Sequence, residues 1–403
     1  MSSLSTRVLD HVRKEPALLN TQQERQDFIR RFNHLFSLDW ENQLLTIKEY
    51  LDTQKIHWFL IEALHFHDKK NENYPGERII ELLYKTGLRY EPEIDADRRS
   101  MLHSPIHYVA RLHTDACGTN WSRTVSDLFI VVYNRYNLNY VDETGMTHFH
   151  VACIYGCVAV VRKFLEAGQH PDCKPFEADT CSVDPPIHLA LKYEHYELVE
   201  LLLLKGADPN ALDTLGQSLL YYAVDRLLPN VVDLLLEHGA DLSTFVFPLR
   251  CLYERFSKRM RKNMITYNLA RVSSVILILE SLQSKGYKLK KDEALRIFKF
   301  FDELKFFQQS CRIKDYLNEE NFVSLAKRTM INPSVSLYRL IKLSRHHPSE
   351  RVTYKDYWEF ANSEEHRDMY KRKDCDAYLC KILARKFFQR WAPFPGFKGL
   401  LLV

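Results

Sequence analysis

Three short runs decide the fold of this chain: Thr147-His148-Phe149-His150-Val151-Ala152, Pro185-Pro186-Ile187-His188-Leu189-Ala190 and Ser218-Leu219-Leu220-Tyr221-Tyr222-Ala223. Each run is followed by an apolar segment with helical spacing and then by a glycine. Two of these glycines, Gly206 and Gly239, recur with a period of about 33 residues. A unit of this length that recurs along the chain predicts a repeat architecture, in which each unit is one supersecondary element.

The runs resemble the Thr-Pro-Leu-His-x-Ala start of an ankyrin repeat, a turn followed by two antiparallel helices. His188 and Tyr221 have the same spacing as the two glycines, whereas the spacing from His150 to His188 is longer because of an insertion around 173–181. The resemblance implies an all-α ankyrin-repeat solenoid of helix-turn-helix units with short, hairpin-like turns. Because one helix pair cannot bury its apolar face alone, neighbouring units must share a core.

The pattern also divides the chain. We expect a helical N-terminal cap over 1–57, ankyrin repeats over 58–247, a degenerate capping repeat over 248–290 and a helical C-terminal region over 291–403. The five predicted repeats, of which the first is degenerate, are 58–90, 99–141, 142–179, 180–212 and 213–247. Beyond the clearest units, apolar periodicity predicts helices over 58–64, 77–84, 125–136, 249–261 and 269–282.

The histidines of the runs have a structural explanation. A Thr or Ser at the start of a first helix is expected to cap it, and the His is expected to bond a neighbouring loop. Pro185 and Tyr221 depart from this pattern, so we expect a weaker polar tie in the third and fourth units. His148, His150 and His188 are therefore interpreted as structural rather than catalytic.

Cysteine spacing gives only a weak zinc signal. Cys153-x3-Cys157 fits the paired spacing of zinc ligands loosely, and Cys173-x7-Cys181 does not. We therefore predict no metal site and no cofactor. The odd total of nine cysteines, without a repeating spacing, favours free thiols in a reducing compartment.

Charge is distributed unevenly. Residues 1–249 carry 24 Lys/Arg and 35 Asp/Glu, a net of −11, whereas residues 250–403 carry 32 and 17, a net of +15. A boundary near Phe247-Pro248 follows from this difference. The basic run from Arg255 to Lys262 is interpreted either as the solvated face of a cap or as a nuclear-localisation or nucleic-acid patch.

The ends of the chain show no targeting signal that we recognise. The N-terminal segment 1–16 lacks an apolar secretory core, and the longest apolar run, 272–282, contains Glu280 and is too short to span a bilayer. We expect a soluble intracellular protein that is cytoplasmic, with a nuclear location as the alternative, and we expect no membrane partner.

The C-terminal segments Val335–Ile341, Tyr354–Phe360 and Arg385–Trp391 are not ankyrin-like. They resemble the C-terminal region of poxvirus and insect ankyrin proteins, the PRANC family, and this resemblance runs from Val335 to the end of the chain. In that family the region leads to an F-box-like motif that recruits a cullin ubiquitin-ligase complex. The family's Leu-Pro-led helix is missing from 392–403, so we expect the ligase-docking half to be truncated.

Enzyme motifs are missing from the sequence. It contains no G-x-x-x-x-G-K-S/T, G-x-G-x-x-G, H-E-x-x-H or G-x-S-x-G pattern, so we predict no catalytic residues. Asp142 and Asp213 sit at turn starts, where aspartate favours local backbone hydrogen bonds.

The predicted function is a non-enzymatic scaffold that binds a protein through the concave ankyrin surface. Two alternatives stay open: a substrate-recruiting adaptor of a cullin-type ubiquitin ligase, and nucleic-acid binding by the basic C-terminal half, although nucleic acid is not the partner we expect. Tyrosine and arginine make good interface anchors, and Tyr155 and Tyr193 are the favoured ones. The predicted partner-binding residues, at turn tips and on first helices, are Glu143, Thr144, Met146, Ile154, Tyr155, Lys192, Tyr193, Thr214, Leu215, Gln217, Asp225 and Arg226.

Overall fold

The structure, a computed structural model of the chain, describes residues 21–36, 53–65, 104–112, 119–131, 133, 135–173, 183–249, 268–303, 312–343, 352–367, 369 and 372–389. The chain divides into two compact units, residues 1–216 and 217–403. The described residues form helices and, in addition, one two-stranded hairpin and one isolated bridge. The predicted all-α class is therefore confirmed.

The first unit contains eight described helices. Two precede the clear repeats, and the other six form three helix pairs. Their bounds are α1 Gln22–Phe36, α2 Thr53–His65, α3 Pro105–Leu112, α4 Thr119–Val131, α5 His148–Ile154, α6 Val158–Glu166, α7 Pro186–Lys192 and α8 Tyr196–Leu204.

These helices stack in the order that a repeat array requires. Helices α2, α3, α5 and α7 contact one another in succession, and α4 contacts α6. Ile106, Phe149 and Ile187 lie on successive first helices and are completely buried. Because each of these faces is covered by the neighbouring unit, the predicted shared core is confirmed for this part of the chain.

The repeat signals have the predicted local conformations. Gly168, Gly206 and Gly239 follow their helices with φ of 94°, 88° and 89°, the left-handed region that only glycine enters without strain. Thr147 caps α5 through a reciprocal capping box with His150. The N-cap of α7 is Pro185, which makes no side-chain cap, as predicted.

Helix α4 differs from its prediction of 125–136, because it begins at Thr119 and ends at Val131. Its extra N-terminal turn is anchored by Ser122, whose hydroxyl donates to the Tyr155 carbonyl at 2.6 Å. The chain then turns at 136–137, where the predicted helix would have ended. The predicted helices 77–84 and 249–261 lie outside the described residues, apart from Leu249.

The second unit contains nine described α-helices, a 3-10 helix and the hairpin. Their bounds are α9 Leu219–Asp225, α10 Pro229–Glu237, α11 Asn268–Ser284, α12 Lys291–Glu303, the 3-10 helix Arg312–Asn318, α13 Glu320–Arg328, β1 Met330–Asn332, β2 Val335–Ser336, α14 Leu337–Leu343, α15 Tyr354–Asn362, α16 Glu364–Arg367 and α17 Arg372–Phe388.

Helix α11 organises this unit. It contacts α10, α15 and α17, and Ile276, Ile278 and Leu279 on it are completely buried. Its span confirms the helix predicted over 269–282, and Gly286 follows it with φ of 101°. The capping-repeat role and the domain boundaries stay predictions. None of the helices in the described residues has the length and apolarity that crossing a membrane requires.

Candidate partner-binding surface

The first turn tip, residues 142–146, is held rigidly by one buried carboxylate. Asp142 Oδ1 accepts from the backbone N–H of Thr144 and Met146 at 2.8 and 3.0 Å, and from the Thr144 hydroxyl at 2.7 Å. Burial alone would raise the pKa of Asp142, but the hydrogen bonds from Thr144 and Arg111 outweigh that effect and lower the pKa. The predicted local role of Asp142 is thus confirmed.

Arg111 of α3 ties this tip to the preceding unit. Its Nη2 atom donates to Asp142 at 2.9 Å and to Glu143 at 2.5 Å. Glu143 and Thr144 are exposed, and Met146 is half-buried. The tip therefore presents polar side chains on a backbone that is fixed from two sides.

The second turn tip, residues 213–216, is also held by a carboxylate, which here belongs to the preceding repeat. Asp184 Oδ1 accepts from the backbone N–H of Thr214 at 3.0 Å and from its hydroxyl at 2.7 Å. Asp213 Oδ1 accepts from the Leu215 N–H at 2.9 Å, as its turn position predicted. Although burial acts in the opposite direction, the bonds from Thr214 lower the pKa of Asp184, and Lys192 adds to that shift.

Two apolar side chains are exposed to solvent at this second tip. Leu215 is 79% exposed, and Leu212, which the sequence pattern did not single out, is 57% exposed. Exposed leucines are common on proteins, but Leu215 lies within a hydrogen-bonded turn and Leu212 directly before it. The unusual feature is a rigid backbone that presents apolar side chains to solvent.

The two predicted surface positions at the end of α5 are wrong. Ile154 and Tyr155 are each only 3% exposed. The Tyr155 hydroxyl donates to the Val109 carbonyl on α3 at 3.0 Å, so it ties two first helices together instead of facing a partner. Tyr155 is the C-cap of α5, directly after the last residue of the first helix on which the prediction placed it.

The corresponding positions on α7 are accessible. Lys192 is exposed and lies 3.6 Å from Asp184, and Tyr193, the C-cap of α7, is half-buried. Together with the two tips they form the tip surface, which we define as Glu143, Thr144, Met146, Lys192, Tyr193, Leu212, Thr214 and Leu215.

Three predicted residues belong to the second unit and are not part of the tip surface. Gln217 is half-buried, Asp225 is the last residue of α9 and Arg226 is its C-cap. The Arg226 guanidinium lies 5.0 Å from the centre of the Tyr222 ring. That contact holds the arginine against its own helix.

The polar groups beneath the surface are structural. His188 Nε2 donates to the Ala211 carbonyl at 2.8 Å, which is the predicted tie to a neighbouring loop. His148 hydrogen-bonds the Ser104 hydroxyl at 2.9 Å, and Thr147 donates its backbone N–H to Nδ1 of His150. Burial lowers the pKa of His148 and of His150, the latter to about 4.

His107 lies next to this group, with its ring 4.7 Å from that of His148. Within the described chain neither ring nitrogen of His107 completes a hydrogen bond, although the Tyr140 and Met146 carbonyls lie close enough to favour the protonated ring. Burial prevails and lowers the pKa of His107 to about 4. The ring is neutral at physiological pH and fills space in the core.

The cysteines show the character of core thiols. Cys153, Cys157 and Cys173 are buried, and burial raises the pKa of Cys157 to about 12. A thiol with so high a pKa is a poor nucleophile and a poor metal ligand. Among the described residues no group of His, Cys, Asp or Glu is arranged to hold a metal ion. Cys181 lies outside them.

Comparison with known proteins places these features in one family of repeats. The family model for "Ankyrin repeats (3 copies)" matches residues 112–213 and 173–245. The chain is 28% identical over 114 residues to a putative ankyrin repeat protein of fowlpox virus, an alignment that covers 28% of this chain and 26% of that protein. It is 31% identical over 104 residues to the B-cell lymphoma 3 protein homolog of Mus musculus, covering 24% and 21%.

A further relative is the transient receptor potential cation channel subfamily A member 1 of Drosophila melanogaster, 32% identical over 103 residues that cover 24% of this chain and 8% of the channel. The chain thus spans about a quarter or less of each of these relatives. Among solved structures, the ankyrin repeat domain of Bcl-3 is similar with a TM-score of 0.32 and 22% identity, covering 58% of this chain and 86% of that one. Residues 112–245 of this chain are therefore similar to ankyrin repeats.

Proposed function

We propose that this protein is a non-enzymatic scaffold that binds a protein partner through the tip surface of its first unit. Ankyrin repeats are interaction modules whose concave surfaces serve binding. The matched relatives include a viral protein and an ion channel, so what they share with this chain is the repeat and not one whole-protein activity. The lack of catalytic motifs in the sequence supports the same proposal.

The observation that carries the proposal is Leu215. Its side chain is 79% exposed, while its turn is held by hydrogen bonds to Asp184 and Asp213. A side chain presented by a rigid backbone loses little conformational entropy when it is buried by a partner. An apolar anchor surrounded by polar neighbours is the usual arrangement at the centre of an interface.

The experiment uses the full chain and a photo-crosslinking amino acid at position 215, with position 204 as the matched control. Leu204 is also an exposed leucine of the first unit, at 66%, but it ends the second helix of its pair instead of lying on a turn. The proposal predicts a protein adduct at 215 that is absent at 204. Leu215→Asp should abolish binding of the identified partner, whereas Leu204→Asp should not. Equal adducts at both positions would contradict the proposal.

The ubiquitin-ligase adaptor role is a prediction from the PRANC-like resemblance. Its support is the resemblance over 335–403, together with the fowlpox ankyrin relative. The segment 390–403 lies outside the described residues. Co-purification of a cullin complex with full-length protein, and its loss on removal of 335–403, is the expected result. Co-purification that survives the deletion would assign the contact elsewhere.

A further inference from the structure

One stretch of the second unit has an unusual charge pattern that the proposed function does not use. No Asp or Glu occurs between Glu320 and Glu350, while Lys327, Arg328, Arg339, Lys342 and Arg345 all fall inside that interval. The structure describes the first four of these cations, and all four are exposed. A run of this kind predicts a local surface of strongly positive potential.

The fold gathers these cations at one place. Lys327 and Arg328 end α13, the β1–β2 hairpin reverses the chain, and Arg339 and Lys342 lie on α14, which packs against α13. The ammonium groups of Lys327 and Lys342 lie 5.2 and 4.7 Å from the centre of the same Tyr338 ring. We call Lys327, Arg328, Tyr338, Arg339 and Lys342 the basic patch.

The basic patch is not neutralised from within the described chain. None of its four cations forms an ion pair with a described carboxylate. The carboxylate of α15 that reaches the hairpin, Asp356, is engaged by the Asn332 amide at 3.1 Å and the Thr353 N–H at 2.7 Å. Like charges held this close without a counter-charge repel one another, so the free energy of the patch falls when an anion binds.

The phenol of Tyr338 lies in the same positive field. Lys342 hydrogen-bonds it, and together with Lys327 lowers the pKa of Tyr338. The phenolic O–H is then a good donor to an incoming anion, next to two ammonium groups.

We propose that the basic patch binds the phosphate backbone of a nucleic acid. Lysine is depleted in protein–protein interfaces, whereas lysine and arginine clustered on one face mark nucleic-acid surfaces. The net charge of +15 over residues 250–403 extends the attraction beyond the patch, which suits a polyanion better than a single acidic side chain. Nucleic-acid binding by the basic C-terminal half is thereby assigned to the basic patch, which shares no residue with the tip surface.

The test measures binding of full-length protein to a labelled single-stranded oligonucleotide and to its duplex, by fluorescence anisotropy over a range of KCl concentrations. Four phosphate contacts predict a slope of log K against log[KCl] of about −2.8 for the single strand and about −3.6 for the duplex. Lys327→Ala with Lys342→Ala should weaken binding about tenfold or more at moderate salt and reduce the magnitude of the slope by between about 1 and 2. Lys327→Arg with Lys342→Arg keeps both charges and should bind like the parent.

The matched control is Lys299→Ala with Lys355→Ala. Both are exposed lysines of the second unit outside the acid-free interval, and Lys355 lies 3.9 Å from Glu359. The control should change affinity less than about twofold, since both lysines lie outside the basic patch and Lys355 already has a carboxylate partner. Thermal melts of all variants confirm folding, which exposed lysine substitutions leave intact.

Three results would overturn the proposal. The first is no binding of either oligonucleotide at low salt. The second is an equal loss of affinity in the patch and control variants. The third is patch-dependent binding of polyglutamate or of phosphatidylserine vesicles that is tighter than binding of both oligonucleotides, because the patch would then recognise carboxylates or a lipid surface.

Discussion

The imidazole of His195 lies against the backbone of Gly156. Its Nε2 atom donates to the Ile154 carbonyl at 2.9 Å, and a Cβ atom added to Gly156 would lie 2.5 Å from Nδ1. Gly156 joins α5 to α6, and His195 is the N-cap of α8 in the next unit. The contact therefore fixes the spacing of two neighbouring units and requires a residue without a side chain at 156.

Gly156→Ala should destabilise the first unit by about 2 to 4 kcal/mol, because it combines a φ of +68° with a clash against a ring. The matched control is Gly206→Ala, where φ is +88° but the space is open, so only the backbone strain of about 1 to 2 kcal/mol applies. Urea denaturation of both variants measures the difference. Equal losses would show that the His195 contact relaxes without cost.

The hydroxyl of Tyr155 supports the stack and not a partner site. Tyr155→Phe removes its bond to the Val109 carbonyl while keeping the ring. We expect a loss of about 1 to 2 kcal/mol in the free energy of unfolding, since a buried carbonyl is left without its donor. The partner identified by crosslinking at position 215 should bind the Tyr155→Phe variant with unchanged affinity. Weakened binding in a variant of normal stability would restore the original interpretation of this residue.

Asp184 should control the order of the second tip. Asp184→Ala removes both hydrogen bonds to Thr214, and we expect faster hydrogen exchange at the amides of Thr214 and Leu215, with about 1 kcal/mol lost in stability. Asp241→Ala is the control, because Asp241 belongs to the second unit and accepts from Ser243 within its own loop. If exchange at the tip were unchanged, the rigidity argument for Leu215 would fail.

These cases show which features a repeat sequence makes predictable. The helix pairs and the glycine stops at Gly168 and Gly206 follow from spacing alone, because every unit repeats the same local chemistry. The Asp184–Thr214 hydrogen bond joins residues 30 positions apart in two neighbouring repeats. It depends on how those repeats pack, which a local sequence pattern does not show. The burial of Tyr155 was missed for the same reason, because its hydroxyl bonds the Val109 carbonyl of the preceding repeat, 46 positions away.

Stability of the first unit should fall as pH is lowered from 7 towards 4. Burial lowers the pKa of His107 and His150 to about 4 and that of His148 well below its ordinary 6.5. The unfolded chain takes up protons near pH 6.5 while the folded chain stays neutral, so stability present above 6.5 is lost as pH falls. Each histidine contributes at most about 1.4 kcal/mol per pH unit to the change in the free energy of unfolding. Urea denaturation at pH 7 and at pH 5 measures the change.

His107→Leu tests which histidine is responsible. It should reduce the pH dependence without lowering stability at pH 7, because neither ring nitrogen of His107 has a hydrogen-bond partner among the described residues. His170→Asn is the control, since the His170 side chain is 67% exposed. It should leave the stability at pH 7 as it is, because a substitution at an exposed position costs little. A His107→Leu variant with undiminished pH dependence would assign the effect to the other two rings.

The second unit contains a buried hydrogen-bonded pair whose removal should be strongly non-additive. His366 Nε2 lies 2.5 Å from Asp376 Oδ1, both residues are 1% exposed, and burial raises the pKa of Asp376 although His366 opposes the shift. Phe360 packs on the imidazole at 5.0 Å, so the surroundings are largely apolar. Without its partner, each side chain would be a buried polar group that has lost this hydrogen bond, and only Asp376 has a second charged neighbour, Arg372 at 4.0 Å.

Asp376→Ala should cost about 3 to 5 kcal/mol, because it leaves His366 buried without its partner. His366→Ala should cost less, because Asp376 keeps the Arg372 guanidinium at 4.0 Å. The double change of His366→Leu with Asp376→Leu should cost less than either single change, since it removes both polar groups and fills the space with apolar atoms. Urea denaturation of the four proteins completes the comparison. Additive losses would mean that His366 and Asp376 are solvated in the folded chain, and that the pair does not hold α16 against α17.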